Sequence, residues 1–426
     1  MNTDVRFDVT RTRIAGAILA VMGVVILVIF GFDVPSAAHA TLDFQNTVDL
    51  SDATWSVGSP TFDIQIWNIV LGAILLVTSG WILWRTPRRT MTVLGVGAIV
   101  FLFSFLLWTT HYAVLSPATF NPTVLLWNSV PWIVTLIFGS LSGVMCERSG
   151  VVNIAIEGQL MGGVIIATIV ASATQNWAYA AVAGAAIGAL LGLLLAWLAL
   201  RWRSDQIVIG VAIAIMVTPG LDNYIQTQIL TPYQSLNSLN PASRYAIPLL
   251  SKIPIVGTIL FDENAFFYLA VILIFVVSFA LFRTKYGLRV RAVGEYPRAA
   301  ASSGINVIRV RYINVVLGGA IAGLGGVALL SSSASFIPDL TSGAGYIALA
   351  AVIFGRWRPA GAVTAAIIFG ITKALAGTIQ SGYTPPINGY LMDAVPYLLM
   401  IAVVAGLVGR VRPPASDGIP YAPESA

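Results

Sequence analysis

The sequence predicts an all-α, polytopic integral membrane bundle of about ten to twelve transmembrane helices. Of its 426 residues, 57% are hydrophobic and only 10% are charged. Soluble domains carry about 25% charged residues, so this chain is unusually apolar. Continuous apolar runs of about 20 residues recur along it, which is the length that crosses a bilayer as a helix. A closed β-barrel would instead show alternating segments of about 10 residues.

Twelve apolar runs organise the chain. They cover residues 14–32, 64–84, 91–108, 124–145, 151–174, 178–200, 207–219, 266–282, 312–330, 344–354, 360–379 and 390–408. Residues 36–40 resemble a signal-peptidase site, but the first run is longer than the usual signal core of about 7–15 residues. We therefore expect it to be retained as a helix. The run at 344–354 is short enough to be re-entrant.

The basic residues predict the orientation. If the runs alternate in direction, every Lys and Arg lies on one side or its rim except Arg244, Lys252 and Lys373. Lys and Arg concentrate on the cytoplasmic side of membrane proteins. We expect a multi-pass protein of the bacterial cytoplasmic membrane, surrounded by the lipid bilayer, with both termini cytoplasmic. The net charge of +5 reflects this loop bias, and no nucleic-acid partner is expected.

The chain divides into three predicted regions. Residues 1–123 form an N-terminal extension with about three transmembrane helices, and its acidic loop 33–63 is placed outside. Residues 124–409 form the core transmembrane domain. Residues 410–426 form a cytoplasmic polar tail that its composition predicts to be disordered. Within the core, Pro, Asn and Ser clusters predict that residues 220–265 form a long external loop.

Several kinds of chemistry are not supported. The single cysteine, Cys146, and two histidines, His39 and His111, give no cluster for zinc or haem. A P-loop needs Gly-Lys followed by Ser or Thr, and none of the three lysines follows a glycine. We therefore expect no cofactor and no catalytic residues in this chain. Any ATP and Mg²⁺ would be bound by a partner ATPase.

Polar residues within the apolar runs are candidates for a substrate pathway. These are Asn128, Asn153, Glu157 and Asn314. Asn153 and Glu157 are four residues apart, which places them on one face if both are helical. A carboxylate at membrane depth is costly and usually functional. The structural alternatives are that Glu157 caps a helix or forms a pair near the cytoplasmic end, for example with Arg148, and that the asparagines bond neighbouring helices.

Two further features concern packing. Glycines repeat every four residues at 184, 188 and 192, and again at 319 and 323. Small residues at this spacing let helix backbones approach closely in lipid, so these glycines are expected to line helix contacts. Lys373 lies inside an apolar run, and we expect it to snorkel outward.

Three segments resemble the signatures of one family. They are ERSGVVNIAIEG at 147–158, GEYPRAA at 294–300 with Gly304 and Ile305 downstream, and RWRPAG at 356–361. Together they are similar to ABC-importer permeases of the branched-chain amino acid, simple sugar and nucleoside group. The resemblance covers about residues 124–408. Residues 249–261 resemble the external loop of the bacterial nucleoside branch, and simple sugars or branched-chain amino acids are the alternative substrates.

The resemblance implies a set of partners. Such a permease pairs with a second, usually different, permease, and ABC ATPase subunits bind on the cytoplasmic side. An extracytoplasmic binding protein or lipoprotein delivers the substrate. The basic segment 285–311 would hold a coupling helix for the ATPase, and the residues implied are Gly294, Glu295, Arg298, Ala299, Ala300 and Gly304. Pro297 suits the first turn of that helix and Gly304 its end.

Three other interpretations remain open. The basic segment alone also suits a loop that only fixes topology and touches anionic lipid. An ion-coupled secondary transporter would need an ionisable residue at mid-membrane and no ATPase. A membrane-embedded transferase would use the external acids Asp43, Asp49 and Asp52, although no metal or sugar motif surrounds them.

Overall fold

The computed structural model describes residues 2–35, 38–44, 58–85, 90–113, 119–383, 388–402 and 412–422. Ten helices in these ranges are long and apolar enough to cross a membrane. The predicted all-α membrane bundle is therefore confirmed. The apolar run at 344–354 forms a helix of only 11 residues, which spans about 16 Å and is too short to cross. The last run, 390–408, and the acidic loop 33–63 lie partly outside the described residues.

The helices follow one another closely along the chain. Helices α1 to α8 are Asn2–Val25, Ile64–Arg85, Thr90–Thr110, Pro122–Arg148, Ile156–Thr174, Trp177–Ala196, Gln206–Ile215 and Asp222–Ile225. Helices α9 to α16 are Val256–Leu260, Ala265–Arg283, Lys285–Glu295, Pro297–Ser302, Val307–Leu330, Ala344–Phe354, Pro359–Gly382 and Gly389–Ala402. Short π-helical turns extend four of them, at Ile26–Gly31, Trp197–Arg201, Met216–Leu221 and Gln226–Leu230.

Five short strands add two small sheets. The strands β1 to β5 are His39–Leu42, Thr61–Asp63, Thr119–Phe120, Arg244–Ala246 and Asp262–Asn264. Strand β1 pairs antiparallel with β2 and parallel with β3. Strand β4 pairs antiparallel with β5. Neither sheet reaches into the membrane-length helices, so the all-α class still holds.

The described chain forms two compact units. The first contains residues 1–125 and 375–393, and the second contains residues 126–374 and 394–426. The predicted division into extension, core and tail stays a prediction. In the first unit, helices α1, α2 and α3 pack together. Asn68 donates to the carbonyl oxygen of Phe30 at 2.9 Å, and the Phe30 and Trp108 rings stack with centroids 5.0 Å apart.

In the second unit, α5, α6 and α13 meet along a seam of glycines. A β-carbon added at Gly188 would overlap the carbonyl oxygen of Gly319. One added at Gly323 would overlap the carbonyl oxygen of Gly184. Because no side chain separates the backbones, α6 and α13 approach as closely as small-residue seams in membranes allow. The predicted packing role of these glycines is confirmed.

The helix that begins at Gln206 is longer than predicted. The sequence predicted that the run ends at Pro219 and that a loop begins at 220, but the helix continues through Pro219 to Leu230. Proline ends a regular α-helix because it lacks an N–H group and clashes with the preceding turn. Here the π-helical turn Met216–Leu221 contains the proline, so the helix carries on. This correction brings Asp222 into a membrane-length helix.

Two further predictions about the polar segments are wrong. The charged stretch between α10 and α13 was predicted as a loop with one short helix, whereas it contains two helices, α11 and α12. The tail was predicted to be disordered, but residues 412–422 fold back onto these helices, and Ser416 donates its backbone N–H to Gly294 at 2.9 Å. Residues 423–426 lie outside the described chain.

We predict that Gly323→Leu destabilises the chain by about 3 kcal/mol or prevents folding, because the side chain meets backbone that cannot move aside. Gly95→Leu is the matched control, since no other segment of the described chain comes within 4 Å of a β-carbon added there. The control should change stability by less than about 0.5 kcal/mol. Thermal unfolding of the purified chain in detergent measures both, and equal losses would contradict the seam.

Candidate functional site

A non-helical segment, residues 331–343, lies between α13 and α14 and is called the deep loop here. It contacts two membrane-length helices away from their ends, at Asp222 and Lys373, and a third, α5, in its first turn at Glu157. Asp339 donates its N–H to Asp222 at 2.9 Å, and Thr341 donates its hydroxyl to Glu157 at 2.5 Å. Lys373 donates to the carbonyl oxygen of Ser342 at 3.3 Å. Irregular backbone at membrane depth is tolerated only where protein buries it or where it lines a cavity.

Glu157 holds the start of α14. Its Oε1 accepts from the N–H of Gly343 at 3.2 Å, and its Oε2 accepts from the N–H of Gly345 at 2.6 Å. A carboxylate at a helix N-terminus satisfies unpaired N–H groups and complements the helix dipole. Gly345 must be glycine, because an added β-carbon would overlap the backbone nitrogen of Glu157. Glu157 is therefore fully partnered inside the bundle, and its proposed pairing with Arg148 is wrong.

Asp222 is a membrane-embedded acid that the sequence prediction missed. It lies eight residues before the helix end at Leu230, which is about 12 Å along the axis. Its Oδ1 is buried and has no hydrogen-bond partner within the described residues, and the same holds for Thr218 Oγ1 and Gln226 Oε1. The three residues are spaced four apart along a helix interrupted by π-turns, which often mark functional sites. The signal was hidden because Pro219 and Gly220 suggested a loop.

Lys373 lies inward, which corrects the snorkelling prediction. Its side chain is 8% exposed, and its Nζ lies 5.4 Å from the ring centroid of Trp132. Tyr397 donates its hydroxyl to the same Ser342 carbonyl oxygen at 2.9 Å. The deep loop is thus fixed by an aspartate, a glutamate, a lysine and a tyrosine from four helices. Costly polar groups at membrane depth are usually retained for function.

The structure separates the predicted asparagines from one another. Asn128 is exposed on α4, whereas Asn153 and Asn314 are completely buried. Asn153 lies before α5 rather than in it, so the predicted shared helix face with Glu157 is wrong. It donates to Gln159 at 3.0 Å and to Cys146 Sγ at 3.5 Å. The substrate-pathway role assigned to all four residues stays a prediction.

Asn314 ties together the helices beneath the charged segment. Its Oδ1 accepts from the Tyr286 hydroxyl of α11 at 2.9 Å, and its carbonyl oxygen accepts from Cys146 of α4 at 3.7 Å. Burial raises the pKa of Tyr286, opposed by this hydrogen bond, so the phenol keeps its proton. Asn314 therefore connects α4, α11 and α13.

The segment 285–304, called the coupling segment here, is a compact pair of helices. Helix α12 begins at Pro297 and is followed by Gly304 with φ of +79°. Ile305 donates to Ala300 at 3.0 Å and Gly304 to Ala301 at 2.9 Å. This pattern is a Schellman C-cap, for which glycine is the favoured residue. The predicted start and end of this helix are confirmed.

One side of the coupling segment is buried and the other is exposed. Ala300 and Val293 pack with Val307 in a small apolar cluster, and Gly294 is buried beside them. The exposed residues include Glu295, Tyr296, Arg298, Ala299 and Gly304. Four of the six residues implied for ATPase coupling are thus exposed, and Gly294 and Ala300 are buried. Their coupling role stays a prediction.

The three sequence motifs converge at Arg148. Its Nε donates to the carbonyl oxygen of Trp357 at 2.8 Å, and its Nη1 lies 3.9 Å from Glu295 Oε1. Gly294 packs so closely that an added β-carbon would overlap the Arg148 carbonyl oxygen. Trp357 also donates its indole N–H to Glu147. The coupling segment therefore rests directly on the end of α4, and the end of α4 in turn binds the turn that follows α14.

A helical bundle with a broken span and buried polar residues at depth is the architecture of a membrane transport protein. Residues 125–404 match the family described as branched-chain amino acid transport system, permease component. The chain belongs to this permease family and is a multi-pass membrane protein.

The chain matches three ABC transporter permease proteins over most of their length. It is 39% identical to the guanosine ABC transporter permease protein NupQ of Bacillus subtilis (strain 168), over 67% of this chain and 92% of the relative. It is 33% identical to the nucleoside ABC transporter permease protein NupC of Lactococcus lactis subsp. cremoris (strain MG1363), over 69% and 95%. It is 31% identical to the putative glucose ABC transporter permease protein TsgC13 of Haloferax volcanii, over 65% and 89%. No solved structure matches the chain.

We predict that Thr341→Val destabilises the chain by about 1–3 kcal/mol, because the buried Glu157 carboxylate loses a donor. Thr364→Val is the matched control. Thr364 is exposed and donates only to Ala360 of its own helix, so its replacement should cost less than about 0.5 kcal/mol. Thermal unfolding in detergent compares the pair. A loss no larger than that of the control would show that Glu157 does not depend on the deep loop.

Proposed function

We propose that this chain is the membrane-spanning subunit of an ATP-driven importer for nucleosides in the bacterial cytoplasmic membrane, with both termini cytoplasmic. The observation that carries the proposal is the 39% identity to the guanosine permease over nearly all of that protein. The second nucleoside relative agrees with it. The glucose relative, at 31% identity, makes a simple sugar the second candidate substrate.

The deep loop and α14 would form part of the pathway. Broken spans in transporters expose backbone and helix termini near the membrane midplane, where substrates bind. A nucleoside offers ribose hydroxyls and base N–H groups as donors. Asp222 Oδ1 and Gln226 Oε1, which accept no hydrogen bond from the described part of the chain, suit such donors once the surrounding helices separate. A charged carboxylate would bind ribose hydroxyls more strongly than a neutral acceptor would, since charge-assisted hydrogen bonds are stronger.

ATP would act through the coupling segment. A separate pair of ATPase subunits, which bind ATP and Mg²⁺, would dock on its exposed face. Arg148 and Gly294 join that segment to the turn after α14, and Glu157 joins the start of α14 to the deep loop. Helix α14 therefore links the deep loop to the turn that Arg148 binds beside the coupling segment. Packed elements switch between discrete arrangements rather than deforming smoothly, so a displacement at one end would be felt at the other.

The partners would include a second permease and an extracytoplasmic binding protein or lipoprotein. Two different guanosine permease proteins of Bacillus subtilis, NupQ and NupP, are both related to this chain, at 39% and 26% identity. Lactococcus lactis likewise has NupC and NupB among the relatives. Such pairs support a heterodimer, in which this chain is more similar to NupQ and NupC.

Reconstituted transport tests the proposal. Vesicles containing this chain, the partner permease, the ATPase and the binding protein should take up labelled guanosine only with ATP, and an uncoupler should not stop uptake. Excess unlabelled uridine or adenosine should compete, whereas glucose should not. Competition by glucose alone would assign a sugar permease. Uptake that persists without ATP but ceases with the uncoupler would indicate an ion-coupled transporter.

A further inference from the structure

The segment 415–421 near the C-terminus binds the end of helix α11. Ser416 donates its backbone N–H to the Gly294 carbonyl oxygen at 2.9 Å and its hydroxyl to the Glu295 carbonyl oxygen at 3.2 Å. Ala415 donates its N–H to Glu295 Oε2 at 3.2 Å. The free carbonyl groups at the end of α11, which lack partners within the helix, are therefore satisfied by this segment.

The same segment surrounds a buried arginine at the start of α13. Arg311 is fully buried, and its Nη1 donates to the Ile419 carbonyl oxygen at 3.0 Å. Its Nη2 lies 3.5 Å from the Ser416 carbonyl oxygen, and the Asp417 carboxyl group lies nearby. A buried guanidinium is strongly destabilising when its partners are removed. Position 311 therefore accepts an arginine because residues 416–419 enclose it.

Apolar contacts complete the attachment. Tyr421 packs against the cluster formed by Val293, Ala300 and Val307. Gly418 lies beside Val152, in the turn region after α4, with 3.3 Å between an added β-carbon and the Val152 side chain. Seven consecutive residues thus touch α11, α12, α13 and the segment between α4 and α5.

We propose that residues 415–421 are a strap that fixes the coupling segment to the start of α13 and to the turn after α4. The strap makes these elements move as one body, so that displacement of α12 reaches the membrane helices instead of being absorbed by local bending. This role rests on the proposed function, because it assumes that force enters at the coupling segment. The strap residues act by positioning and do not contact substrate or ATP.

Truncation provides the test, with a matched control. One variant ends at Arg412 and lacks the strap, and the control ends at Ala422 and keeps every contact named above. A third variant combines the end at Arg412 with Arg311→Met, which removes the buried charge that truncation would leave without partners. The first readout is hydrogen exchange of residues 285–304 in the purified chain. The second is the number of nucleosides transported per ATP in the reconstituted transporter.

The strap predicts exchange on the order of tenfold faster in both variants that end at Arg412, since local opening becomes easier. The control should match the full chain, and a separate peptide of residues 413–426 should restore slow exchange. Transport per ATP should fall by about tenfold while ATP hydrolysis continues, because force is lost between the two. If the tail only stabilised the fold, truncation would lower transport and ATP hydrolysis in proportion, and transport per ATP would not change.

Three results would overturn the strap. The first is unchanged hydrogen exchange after truncation. The second is slow exchange in the truncated chain that also carries Arg311→Met. The third is higher transport per ATP in the truncated chain. The last result would indicate an inhibitory tail instead. Hydrogen exchange is measured on the chain without ATPase or substrate, so it decides the strap independently. Failure of the full chain to transport nucleosides would count against the proposed function only.

Discussion

A chain that crosses lipid must satisfy its backbone N–H and C=O groups from within, and the deep loop is where this protein meets that requirement without a helix. Glu157, Asp222, Lys373 and Tyr397 supply the partners, each from a different helix. Without the loop, burying these polar side chains at membrane depth would cost free energy. Without the side chains, the backbone groups of the loop would be buried there unsatisfied. The two therefore stabilise each other, and the arrangement permits the short helix α14 to begin inside the membrane.

That short helix connects two regions that the sequence motifs mark separately. Glu157 holds the start of α14, and it is the second-last residue of the motif ERSGVVNIAIEG. The turn after α14 belongs to the motif RWRPAG, and its Trp357 binds both Glu147 and Arg148. The third motif, GEYPRAA, rests on Arg148 through Gly294. The three motifs are far apart in the chain, yet they share one contiguous set of contacts. These contacts explain which residue types the motifs contain.

Local patterns predicted the parts of this structure that local physics controls. The apolar runs gave the helices, because length and hydropathy alone decide whether a segment can span. Pro297 and Gly304 marked the ends of α12, because a fixed φ and a left-handed residue suit those positions. The glycine repeats marked the α6–α13 seam. Each of these signals lies within a few residues of the feature that it predicts.

The predictions that failed depended on distant partners. Glu157 and Arg148 are near in sequence, yet each binds residues about 150 to 200 positions away, which no spacing rule indicates. Asp222 was missed because a π-turn carries the helix past Pro219. Lys373 lies inward because a carbonyl oxygen and the Trp132 ring receive it. The tail is folded because Arg311, buried at the start of α13, needs the carbonyl groups of residues 416 and 419.

The coupling segment is the proposed place where energy from an ATPase enters this permease. Cross-linking tests it most directly, since the native Cys146 is completely buried. Ala299→Cys places a thiol on the exposed face of α12, and Asn223→Cys places one on the exposed side of the helix Gln206–Leu230. We expect the ATPase subunit to cross-link to position 299 and not to position 223. Cross-linking at 223 with none at 299 would contradict it.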